Sequence, residues 1–112
     1  MAYNADMATT TLPDTEADTD TRTKRQPPYA VVLHNDDHNN VAFVVAVLQK
    51  VFGYAVEKCV KLMLEAHETG RAVVWVGSLE VAELKAEQVH GCGPDPQAAK
   101  AQPLRATVEP AA

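Results

Sequence analysis

From Tyr29 onward, short β-branched runs alternate with longer stretches in which apolar residues recur every three or four positions. Tyr29-Ala-Val-Val-Leu-His34 follows the extended pair Pro27-Pro28 and predicts a first strand. Val44, Val45, Leu48, Val51 and Phe52 then mark one buried face of a helix that starts at Val41 and stops at Gly53. Val56, Cys59, Val60, Met63, Leu64 and His67 repeat the spacing up to Gly70, predicting a second helix with His67 on its inner side. Arg71 to Gly77 is short, rich in β-formers and read as a second strand. Ser78 is placed to cap a third helix whose inner face is Leu79, Ala82, Ala86 and Val89, with Glu80 favourably in its first turn. Gly91 to Gln102 reads as loop, and Leu104 to Glu109 alternates as a final edge strand. The order β-α-α-β-α-β predicts an α+β fold, a two-layer sandwich of a three-stranded antiparallel sheet packed against three helices.

Residues 1–26 break this pattern. They carry seven threonines and five acidic residues with almost no large aliphatics, too little apolar surface to offset the entropy of ordering the chain. They are expected to form a disordered N-terminal extension, leaving 27–112 as the folded domain. In 112 residues there is room for one domain, and a core this small leaves little space for a deep substrate cavity, which favours a binding module over an enzyme. The net charge of -5 disfavours nucleic acid as a partner. The start of the chain shows no signal-peptide pattern and no window is apolar enough to span a bilayer, so a cytoplasmic protein away from membranes is expected. Cys59 and Cys92 lack C-x-x-C spacing and offer neither a disulfide framework nor a zinc site.

The chemistry concentrates between the first strand and the first helix, in His34-Asn35-Asp36-Asp37-His38-Asn39-Asn40. Asn and Asp here make an Asx-turn ending in an Asn cap, the ordinary structural explanation of such a loop. Imidazole and carboxylate also suit a divalent metal, so a small metal-binding or hydrolytic protein using His34, Asp36, Asp37 and His38 is the competing reading. Neighbours along a strand end point in divergent directions, however, and no Ser or Cys has a base beside it. Acceptor oxygens in this loop, with His67 and the apolar Val41, Val44 and Met63, would instead suit a ligand with an ammonium head and an apolar body.

Pro28-Tyr29-Ala-Val-Val-Leu-His-Asn-Asp-Asp37 followed by Val41 to Phe52 resembles the ClpS adaptor family, as do Leu62-Met63-Leu-Glu-Ala-His67-Glu-Thr-Gly70 and Glu80-Val-Ala-Glu-Leu-Lys85. The resemblance implies a non-enzymatic adaptor, without cofactor or metal, that binds N-degron proteins and delivers them to a Clp AAA+ unfoldase. It assigns Asn35, Asp36 and His67 to the α-amine of the bound chain. The N-terminal side chain, Leu, Phe, Tyr or Trp, falls to a pocket of Asn39, Val41, Val44, Met63, Ala66 and Leu104. Glu80 and Lys85 would face the unfoldase N-domain, and residues 1–26 would stand for the family's flexible extension. Where the family usually has Pro-Met, this chain has Asn40-Val41, which widens the expected preference to Ile or Val. Gly91 to Gln102 likewise departs from the family's usual exit from the third helix.

Overall fold

The computed structural model describes residues 27–111, so the expectation of a disordered segment over 1–26 lies outside the described residues. Six elements follow in the expected order: β1 (Tyr29–His34), α1 (Val41–Phe52), α2 (Val56–Thr69), β2 (Arg71–Gly77), α3 (Leu79–Gly91) and β3 (Ala106–Pro110). The sheet is antiparallel with order β2-β1-β3, so the first strand is central and both later strands are edges. Helix ends obey local chemistry. Gly53 and Gly70 adopt the left-handed conformation and return their N–H groups to Gln49 O and Ala66 O, both at 2.8 Å. Ser78 Oγ accepts from Val81 N at 3.3 Å, the expected cap of α3. Asn40 occupies the cap position of α1 with extended backbone, but its side chain makes no capping bond.

The helices bury Val31 and Leu33 of β1, Ala72 and Val74 of β2 and Ala106 of β3 against Leu48, Cys59, Ala82 and Val89. Opposite this core, Val32 pairs with Val73 and Thr107. Val32 is nonetheless fully buried, and on this face Arg71 of one edge strand reaches Glu109 of the other at 2.6 Å. The register between β1 and β2 shifts at Val31/Val32, a bulge that brings both Val74 and Trp75 toward the core. The Trp75 ring then lies over Gly77, where a Cβ would come within 2.2 Å of it.

Three details differ from the pattern along the chain. The buried residues of α2 are Cys59 and Ala66, while Val56 and Leu64 are exposed and His67 lies outside rather than inward. The small Ala66 permits the closer approach to the sheet, and the helix is rotated accordingly. β3 begins two residues later than expected, leaving Leu104 outside the strand yet 1% exposed. Finally, α3 continues to Gly91 before the irregular stretch to Arg105.

Candidate functional site

Beyond the last residue of β1 the chain turns sharply, and Asp36 makes the turn. Its Oδ1 accepts from the backbone N–H groups of His38 (2.7 Å) and Asn39 (2.9 Å), and its Oδ2 accepts from Asn39 Nδ2. Partial burial opposes ionisation of Asp36, but these donors outweigh it and hold its pKa below the ordinary carboxylate value. The loop is therefore an Asx-turn, as expected of its composition. A carboxylate offers about four acceptor positions, so Oδ2 still has capacity for a further donor. Asn35 Nδ2 is engaged by Asp37 Oδ1 at 3.3 Å, which leaves Oδ1 of Asn35 as the acceptor on offer.

This loop forms the polar rim of a cavity of about 390 Å³ between the start of α1, the second half of α2 and Leu104, within the ordinary size range of small-ligand sites. All nine residues expected at the amine and side-chain sites line it. Asn35, Asp36 and His67 stand on the polar side. Val44, Ala66 and Leu104 are buried in the wall, Met63 is half-buried, and Val41 stands at the mouth with 57% of its surface exposed. Leu33, His34, Asp37 and Leu64 also line the cavity, although the sequence marked none of them for the pocket.

Asn39 differs in kind from the other pocket residues. It is 8% exposed and its amide is committed inside the protein: Nδ2 donates to Asp36 Oδ2 and to Gln102 O (2.8 Å), and Oδ1 accepts from Asp95 N (2.7 Å). It fastens the cavity loop to the irregular segment after α3. Sequence reasoning missed Asp95 and Gln102, since nothing periodic links them to position 39.

The loop residues proposed as metal ligands do not converge. His34 Nε2 bonds Thr107 Oγ1 at 2.7 Å and Asp36 is turned into its own loop. Among the described residues no group of three or more His, Cys, Asp or Glu side chains is arranged to hold a metal ion. Burial, with Arg105 and Arg71 nearby, also pushes the His34 pKa down.

Glu80 and Lys85 lie on α3, apart from the cavity lining. Glu80 is exposed, whereas Lys85 is half-buried and donates from Nζ to Val51 O at 2.8 Å, at the end of α1. Val81 and Leu84 beside them are exposed apolar residues. Among the described residues, no helix is long and apolar enough to cross a membrane.

The family model for the ATP-dependent Clp protease adaptor protein ClpS matches residues 24–107. The ClpS adapter protein of Pectobacterium carotovorum is 51% identical over 69 residues, covering 60% of this chain and 65% of that one. The ClpS adapter of Erwinia tasmaniensis is 40% identical over 97 residues, covering 85% and 88%. Among solved structures, that of Agrobacterium tumefaciens ClpS2 bound to L-phenylalaninamide is similar with a TM-score of 0.69 and 36% identity, over 77% of this chain and 99% of that one.

Proposed function

The chain belongs to the ClpS family of Clp protease adaptors and is an adaptor rather than an enzyme, and on that premise we propose that its cavity binds the N-terminal residue of proteins marked for degradation. The observation that carries the reading is the division of one cavity into a rim of acceptors and a wall of aliphatics. A free α-amine has a pKa of about 7.7–8.0 and is mostly an ammonium at neutral pH. Asn35 Oδ1, Asp36 Oδ2 and a ring nitrogen of His67 give its donors three acceptors. The side chain then enters between Val44, Met63, Ala66 and Leu104, where burial of a Leu- or Phe-sized group contributes about 1.5–3 kcal/mol. An internal peptide has one N–H and no charge. Bound in the same place it would cover these acceptors and leave them unpaired, at about 1–3 kcal/mol each, which restricts binding to true chain ends. The phenylalaninamide held by the Agrobacterium ClpS2 has the required parts, a free amine and a large apolar side chain.

Delivery falls to surfaces away from the cavity. Glu80, Lys85 and the exposed Val81 and Leu84 on α3 form a mixed apolar and charged patch suited to the N-domain of a Clp AAA+ unfoldase. Residues 1–26 serve as the extension that engages the unfoldase, ahead of an adaptor domain over 27–112, and the protein acts in the cytoplasm. The test is degradation of a Leu-initiated reporter by a Clp unfoldase and its protease, with and without this protein. Acceleration of the Leu-initiated reporter and not of its Met-initiated counterpart is expected. Equal rates for both overturn the reading.

A further inference from the structure

Among the described residues two polar side chains are buried, Asn39 and Asp95, and each is bonded to the other's segment. Asp95 lies in the irregular stretch after α3 and is 6% exposed. A carboxylate so placed is costly unless donors surround it. Its Oδ1 accepts from Gln97 N at 2.9 Å and its Oδ2 from Asn40 N at 3.3 Å, while its own backbone N–H donates to Asn39 Oδ1. Asn40 is the cap position of α1, a helix with no acidic residue in its first turn and no side-chain cap of its own. Asp95 thus brings to that helix start, from 55 residues away in sequence, the negative charge that its neighbours do not supply.

The bonds continue to the cavity. Asn39, held at Oδ1 by the Asp95 backbone and at Nδ2 by Gln102 O, donates its other Nδ2 hydrogen to Asp36 Oδ2. That oxygen is the one placed for an incoming ammonium, because Oδ1 is occupied by two backbone donors. The Asp95 carboxylate, bonded to Asn40 N and Gln97 N, fixes the place of its own backbone N–H on Asn39 Oδ1; once that segment is released, Asp36 keeps its turn but loses the donor that fixes how Oδ2 is presented.

We propose that Asp95 is a positioning residue for amine recognition, acting through Asn39 to orient the Asp36 carboxylate at the cavity rim. The inference rests on the amine-binding reading above. Its reach is limited to the polar side, since Asp95 is not part of the cavity wall. Leu- and Phe-initiated peptides should therefore suffer by the same factor when it is changed.

The test is a double-mutant cycle on the full chain, read by anisotropy with free-amine Leu- and Phe-initiated peptides. Asp95→Ala should weaken both peptides about fivefold to tenfold with their ratio unchanged. Asp95→Asn, which keeps one acceptor oxygen, should lose less. In an Asp36→Ala background the further change Asp95→Ala should cost less than twofold, because the group it positions is gone. A loss that adds in full to that of Asp36→Ala, a changed Leu-to-Phe ratio, or unchanged affinity overturns the proposal. Should Asp95→Ala fail to fold, Asp95→Asn carries the same cycle. Full affinity in Asp36→Ala alone instead overturns amine recognition by Asp36, and the proposal with it.

Discussion

If the cavity binds N-terminal residues as proposed, Val41 should govern how broad a range of side chains it admits, and Val41→Met is the perturbation that measures it. Val41 is the first residue of α1 and stands at the cavity mouth with 57% of its surface in solvent, whereas Val44, one turn later, is 5% exposed in the wall. Full burial of a valine contributes about 1.5–3 kcal/mol. A ligand can cover at most the exposed 57% of Val41, so the residue contributes about 1–2 kcal/mol of contact at most. Methionine is longer, unbranched and flexible, so it reaches further across the mouth. It adds a little contact to Leu or Phe and crowds a ligand branched at Cβ, where overpacking costs about 1–3 kcal/mol. The native protein should therefore bind Ile- and Val-initiated peptides within roughly tenfold of Leu. In Val41→Met, Ile and Val should weaken by about fivefold or more, while Leu and Phe change by less than about fivefold. Anisotropy titrations with labelled peptides differing only in the first residue provide the assay. If the native protein binds Leu well and Ile or Val undetectably, another residue closes the mouth, Asn39 or Asn40 first among them, and the reasoning from Val41 is refuted.

Asn39→Ala removes the amide that joins Asp36, Asp95 and Gln102; with unpaired buried groups costing about 1–3 kcal/mol each, a total loss of about 2–4 kcal/mol is expected. Urea unfolding checks this, and a loss below about 1 kcal/mol contradicts the linking role. Acid should weaken the fold in two windows, because His34 and Asp36 both have folded pKa values below their ordinary 6.5 and 3.8. The unfolded chain binds the proton first in each case, so stability is fully present above the ordinary value and is lost as pH falls through the folded one. Urea midpoints should fall between pH 7 and pH 5, less so in His34→Gln, and fall again below about pH 4; identical pH profiles for the native protein and His34→Gln contradict the first window.

The fold was legible where local chemistry and periodicity agree. β2 is bounded by Gly70 and Gly77 and rich in valine, and its limits match the expectation, as do the caps at Gly53, Gly70 and Ser78. On α2 the apolar residues are spread widely enough that two faces compete. The small Ala66 decides for the face with Cys59 and leaves Leu64 in solvent and His67 at the cavity edge. Hydrogen bonds between two irregular segments have no sequence period at all, so Asp95 and Gln102 gave no sign of meeting Asn39. At the cavity, the loop from Asn35 to Asp37 and the apolar Val44 and Met63 could be singled out from their chemistry. Ala66 and Leu104 entered only through the family resemblance, since neither has a feature of its own that distinguishes lining from core.

Recognition of a free α-amine together with the side chain beside it is the role proposed for the cavity. It is tested most directly by titrating one Phe-initiated peptide in two forms, with a free and with an acetylated N-terminus, against the full chain. The free peptide should bind, the acetylated one should show no detectable binding, and Asp36→Ala or His67→Ala should weaken the free peptide at least tenfold, about 1.4 kcal/mol. Equal affinity for the two forms would contradict the account, because the Asn35, Asp36 and His67 side of the cavity would then play no part in recognition.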